Sequence, residues 1–109
     1  MEDFEELIEK TTVVNMRFFK DVNCVNVMRG TRFGNPFKIT KTRTRGDVLR
    51  DFIKYFKRSK SLQRRVREEL EGKRLGCCCH PQPCHANVYA FWLNGYNWEY
   101  IINWARLIP

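Results

Sequence analysis

The stretch Leu75 to Ala90, LGCCCHPQPCHANVYA, holds four of the five cysteines and both histidines of the chain. Its pattern changes midway, and that change limits the folds open to the rest. Arg74 to Cys79 is a short apolar run that carries Gly76 and is closed by Pro81, which suits a buried strand. From His85 to Leu93 the apolar residues Val88, Tyr89, Trp92 and Leu93 recur at helical spacing. The cysteines and histidines therefore fall on a strand–loop–helix junction. In α/β proteins such junctions carry ligand sites, because the first N–H groups of a helix point outward and favour anions.

The remainder of the chain must supply a core around that junction. At 109 residues, with 43% hydrophobic and 14% aromatic content, it reads as one α/β domain over 1–109 that buries a core without staples. No apolar run approaches the ~20 residues needed to cross a bilayer, so no membrane partner is expected. The acidic start MEDFEELIEK suits neither a secretory signal nor a transit peptide, which implies a cytoplasmic protein. Five cysteines, three of them adjacent, make a poor disulfide framework and read as reduced thiols.

Net charge is +8, and the excess is concentrated. Residues 41–74 hold thirteen Lys or Arg against five Asp or Glu, whereas the segments on either side are balanced. A basic middle third suggests an anionic partner, either nucleic acid or a phosphorylated small molecule; a solvated face of two helices is the plainer alternative.

Taken in order, residues 2–10 place Phe4, Leu7 and Ile8 on one side of a short acidic helix, in a segment over 1–11 that is prone to fray. Thr12–Phe19 and Val22–Met28 read as strands, with a tight turn at Phe19–Asp21. Gly30, Gly34, Asn35 and Pro36 rule out regular structure over 29–40, a loop able to bring backbone donors close to a ligand or simply to lay Phe33 and Phe37 over the core. Residues 46–58 form an amphipathic helix with Val48, Leu49, Phe52, Ile53 and Phe56 on its apolar face. Ser59 or Ser61 caps a second helix carrying Leu62, Val66 and Leu70, which stops near Gly72. The tail over 96–108 closes the core, with Glu99 to Leu107 leaning helical. This order predicts a small single-domain α/β sandwich: a short sheet covered by helices, with a Rossmann-like strand–loop–helix unit at the Cys/His motif. Loops 29–45 and 79–85 are then candidates to meet at the sheet edge.

Three readings of the cysteine–histidine cluster stand side by side. Cys77, Cys79, Cys84 and His85 form a thiolate-rich set suited to zinc, although C-x-C-x4-C-H is not a pair of separated C-x-x-C units; no cofactor is favoured on spacing alone. If Cys84 and His85 open the third helix, its N–H groups favour a phosphate, with Arg29, Arg45 and Asn35 adding hydrogen bonds and Cys79 lining the pocket. A Cys84 nucleophile with His85 as base is the catalytic reading, weakened because sequence neighbours rarely meet in productive geometry. Buried thiols packing under a loop are the unremarkable alternative. His80 reads as solvent-facing, Arg17 as pairing with a carboxylate at the core edge, and the three tryptophans as core. No Walker-type loop, GxGxxG or GxSxG occurs, which removes the commonest NTPase, dehydrogenase and hydrolase assignments.

The set VVN (13–15), RG (29–30), GNPF (34–37), TR (44–45) and GC-x-C-x-P-x-x-CH (76–85) resembles the family known as domain of unknown function 4326, small α/β proteins of phages, other viruses and bacteria. The likeness covers residues 13–93. It implies a polar pocket built from the RG/GNPF loop, the following Arg and the Cys–His turn, with Arg17, Arg29, Gly30, Gly34, Asn35, Arg45, Cys79, Cys84, His85 and Asn87 as ligand-binding candidates. The chain departs from the family at Cys78, usually aromatic, at Ala86, usually Gly, and at Asn87, usually Asp. Losing that carboxylate weakens any acid–base mechanism there and leaves an amide able to bond a sugar or base. The leading expectation is a pocket for a nucleotide-like phosphorylated molecule, for sequestration or processing. Nucleic-acid binding on the basic face of 41–74, an enzyme cutting a glycosidic or phosphoester bond, and a zinc-stabilised module are the alternatives.

Overall fold

The computed structural model of the chain describes residues 10–18 and 24–109. Three short strands, β1 (Thr12–Asn15), β2 (Cys24–Asn26) and β3 (Arg74–Cys77), form one sheet. Among the described residues four helices accompany them: α1 (Arg45–Arg58), α2 (Lys60–Leu70), α3 (His85–Leu93) and α4 (Trp98–Arg106). The expected helix over 2–10 and turn at 19–21 lie outside the described residues.

The sheet order is β1-β3-β2, with both outer strands parallel to β3. A tight turn between the first two strands would have made them antiparallel neighbours; instead β3 lies between them. Burial accounts for this. Leu75, Gly76 and Cys77 are all buried, as a strand covered on both faces requires, whereas β1 and β2 are only half covered. Leu75 pairs with Val13 on one side and Val25 on the other, a row of aliphatic side chains facing the helices. On the opposite face the backbone of Gly76 is approached so closely by Met16 that a Cβ would lie 2.5 Å from its Sδ atom.

The strands are shorter than their apolar runs suggest, and asparagines account for two of the ends. Asn15 Oδ1 accepts the Arg17 N–H at 2.9 Å and Asn26 Oδ1 accepts the Met28 N–H at 2.8 Å, side-chain turns that lead the chain off the sheet. β3 ends at Cys77 rather than Cys79. Because the sheet is parallel, all three strands deliver their carboxyl ends to one edge, the edge where α/β proteins place ligands.

α3 packs on β1 and β3, and α1 packs on α3, α2 and α4. The expected apolar face of α1 is the one buried. A capping box starts the helix: Thr44 Oγ1 accepts the Asp47 N–H at 3.1 Å and Asp47 accepts the Thr44 N–H at 3.0 Å. Ser59, rather than Ser61, caps α2 by accepting the Leu62 N–H. Phe52, Phe56 and Tyr89 are fully buried and meet edge-on across the α1–α3 contact, with centroids 5.4 and 5.2 Å from Tyr89. Trp92 and Trp98 pack against Phe56 and, like Trp104, lie half-buried against the core. No described helix is long and apolar enough to cross a membrane.

Candidate functional site

At the carboxyl edge of the sheet a cavity of about 170 Å³ opens between the chain leaving β2, the start of α1 and the turn from β3 to α3. Loops 29–45 and 79–85 meet here. Met28, Phe37, Ile39, Val48 and Leu49 supply an apolar wall, and Cys77, Cys78, Cys79 and Cys84 the other side. Arg29, Asn35, Arg45 and His85 are the strongly polar members, and among the described residues no Asp or Glu lines the space.

The loop carrying Arg29 is folded by local bonds. Thr31 and Gly34 donate in succession to the carbonyls of Met28 and Thr31, each at 3.1 Å, and Asn35 Oδ1 accepts the Phe37 N–H at 2.9 Å. Gly34 is required by close approach, since a Cβ there would lie 2.9 Å from Arg29 Cα and Met28 O. Gly30 and Gly34 thus shape the loop and do not line the cavity. Phe33 is buried in the core, and its carbonyl accepts the Tyr89 hydroxyl at 2.9 Å, fastening the loop to α3. Burial of that hydroxyl raises the Tyr89 pKa and keeps it protonated.

The two arginines hold the rim. Arg29 donates through Nη2 to the Phe37 carbonyl at 3.1 Å, and Arg45 through Nη1 to the Pro83 carbonyl at 3.0 Å. Each guanidinium has five N–H donors, so both keep donors for an anion. Thr44 and Arg45 therefore divide their work: the first caps α1, and the second ties α1 to the Cys–His turn. Asn15 secures the same turn from the far side, its Nδ2 donating to the His80 carbonyl at 2.6 Å. Asn15 is not among the ligand-binding candidates, and its signal in the sequence is an Asn ending an apolar run.

His85 is tightly engaged. It is 8% exposed, its ring meets Phe52 and Tyr89 edge-on, and its Nε2 lies 2.6 Å from the Val27 carbonyl. A carbonyl only accepts, so Nε2 carries the proton and donates. Burial lowers the His85 pKa, with a smaller contribution from the Arg29 charge, so the ring is neutral near pH 7. This imidazole pins α3 to the end of β2.

The start of α3 is closed on itself. The Cys84 N–H donates to Asn87 Oδ1 at 2.9 Å, the Asn87 N–H to the Cys84 carbonyl at 3.0 Å, and the Ala86 N–H faces the Cys84 sulfur. Asn87 thus closes the capping box opposite Cys84 and does not line the cavity, and the cap engages the Cys84, Ala86 and Asn87 N–H groups at this helix start. Arg17 is exposed, lies beyond β1 and is absent from the lining; no ion pair among the described residues involves it. His80 is half-buried rather than solvent-facing, with a buried Nδ1 that has no partner among the described residues.

The cysteines do not assemble as a zinc set. Among the described residues no three or more Cys, His, Asp or Glu side chains are placed to hold a metal ion. Cys77 and Cys84 face each other instead, the Cys84 thiol donating to Cys77 Sγ at 3.5 Å. That bond, against the cost of burial and aided by the His80 and Cys79 N–H groups, lowers the Cys77 pKa to about 6. The same bond and burial raise the Cys84 pKa. The polarised thiol is therefore Cys77, not Cys84.

A parallel three-stranded α/β domain with its cavity at the carboxyl edge is the class that fold and site define. Residues 13–95 match the family described as Domain of unknown function (DUF4326), and the chain belongs to that family. It is also 40% identical over 73 residues to an uncharacterised 12.4 kDa protein from the nrdA-td intergenic region of Enterobacteria phage T4, which covers 64% of this chain and 67% of that one. No solved structure matches the chain.

Proposed function

We propose that the cavity binds a nucleotide-like phosphorylated small molecule, with its ring against the apolar wall and its phosphate on Arg29 and Arg45. One observation carries the reading: two arginines flank a largely apolar recess whose lining, among the described residues, holds no carboxylate. Its size restricts the ligand. A cavity of about 150 Å³ accommodates one benzene ring, so the roughly 170 Å³ here encloses a single base or sugar and leaves the phosphate at the rim. The Nδ2 amide of Asn35 has no protein partner among the described residues and is a donor for a ring or sugar oxygen. His85 supports this reading as a structural member and not as a base.

Calorimetry with nucleosides, their monophosphates and inorganic phosphate tests it. The monophosphate should bind best, and Arg29→Ala should weaken it by roughly 10- to 100-fold, the equivalent of about 1.5–3 kcal/mol for one charge-assisted hydrogen bond. Arg29 is exposed, so this variant should fold. Equal binding of nucleoside and nucleotide, or an unaltered Arg29→Ala variant, would refute the assignment.

A second reading has its own support. Lys54, Lys57, Arg58, Lys60, Arg64 and Arg65 are exposed along α1 and α2, and no carboxylate among the described residues pairs with them. Nucleic acid held on that face would dissociate steeply with added salt and ignore Arg29→Ala.

A further inference from the structure

We propose that Cys77 and Cys84 form a reversible dithiol–disulfide pair at the wall of the cavity, oxidised by small peroxides. The inference rests on the positions of the sulfurs and not on the ligand reading, so either can fail alone.

Cys77 is the last residue of β3 and Cys84 the cap of α3, so two rigid elements hold the thiols while the turn over 78–83 joins them. Their sulfurs are 3.5 Å apart. A disulfide bond is about 2.0 Å long, so roughly 1.5 Å of closure joins them. Cys78 is exposed and also lines the cavity, but the two sulfurs in contact are those of Cys77 and Cys84.

The two thiols are unequal in a way that sets the order of reaction. Cys77 Sγ receives the Cys84 S–H and faces the N–H groups of His80 and Cys79, an arrangement that favours its thiolate. Cys84 remains a thiol. Access selects the oxidant, because the two residues are only 2% and 4% exposed yet both line the cavity. A recess of about 170 Å³ admits hydrogen peroxide but not a tripeptide disulfide.

In the first step Cys77 sulfur attacks one peroxide oxygen, the O–O bond breaks, and hydroxide leaves to take a proton as water. Cys77 becomes a sulfenic acid. The Cys84 sulfur then attacks Cys77 sulfur, the S–O bond breaks, and the departing hydroxide takes the Cys84 proton as a second water. Two thiols have lost two electrons and one peroxide has become two waters. A dithiol reductant restores the pair.

The test uses the full chain, and the same chain with Cys24→Ser, Cys78→Ser and Cys79→Ser combined. Each is treated with stoichiometric hydrogen peroxide, alkylated in denaturant and weighed by mass spectrometry. In the triple variant both remaining thiols should escape alkylation, the chain should lose two hydrogens, and reductant should reverse the change. Adding Cys84→Ser, which retains a good helix cap, should stop the reaction at one added oxygen on Cys77, trappable by a cyclic dione. Adding Cys77→Ser instead should slow oxidation by about tenfold or more. Peptide mapping of the unsubstituted oxidised chain should show the Cys77–Cys84 link, a readout that needs no variant to fold. Thiols still alkylated after peroxide, a link through Cys79, or undiminished oxidation without Cys77 would each overturn the proposal.

Discussion

His85 gives the site a measurable pH signature. Its ring is buried, neutral and held by the Val27 carbonyl, with Phe52 and Tyr89 edge-on at 5.4 and 5.6 Å. Burial lowers its pKa below the ordinary value of 6.5. Between those two values the unfolded chain binds a proton that the folded chain does not, so stability is complete above about pH 6.5 and declines as pH falls through it. One such group sets a ceiling of about 1.4 kcal/mol lost per pH unit. His85→Gln keeps a donor near the Nε2 position and does not titrate. It gives up two edge-on ring contacts, worth ~0.5–1.5 kcal/mol each, so the variant should be less stable by about 1–3 kcal/mol at neutral pH. Urea unfolding of both proteins from about pH 7.5 to about pH 5 measures the difference, in which every other titrating group cancels. The two stabilities should converge as the solution is acidified. Parallel curves would refute a buried neutral His85, and divergence would reverse the sign of the argument.

Two further substitutions probe the loops that frame the cavity. Tyr89→Phe leaves the Phe33 carbonyl without its donor and should cost ~1–3 kcal/mol, with a loss of roughly 4–8 °C in Tm per kcal/mol for a chain this short; an unchanged Tm would mean that the loop is held by Phe33 packing alone. Asn15→Ala removes the bond to the His80 carbonyl, and should cost about 1 kcal/mol and speed alkylation of Cys77 and Cys84 under native conditions. Unaltered thiol reactivity would show that Arg45 alone secures the Cys–His turn.

Much of this protein is written in local pattern. The 3.6-residue spacing of Val48, Leu49, Phe52, Ile53 and Phe56 specifies α1, and Leu62, Val66 and Leu70 specify α2, because a helix buries one stripe wherever it docks. The apolar run at Leu75–Cys77 and the helical spacing after His85 likewise locate the junction on which the site is built. Family membership follows from the same short motifs.

Other features required the folded chain. Strand order was not legible, since β1 and β2 pair with β3 from about fifty to sixty residues away in sequence, beyond any local period. Met28, Phe37, Ile39, Val48 and Leu49 read as loop or ordinary core, and only packing makes them one wall. Sequence leaves open a Cys84 nucleophile with His85 as base, a reading their adjacency weakens, and a helix start sends adjacent side chains in different directions. One met the Val27 carbonyl and the other met Cys77. Composition and spacing determined which elements form and where the polar residues cluster. Tertiary structure decided which atoms face one another, because hydrogen bonds and thiol chemistry act over a few ångströms that only the folded turn from β3 to α3 brings together.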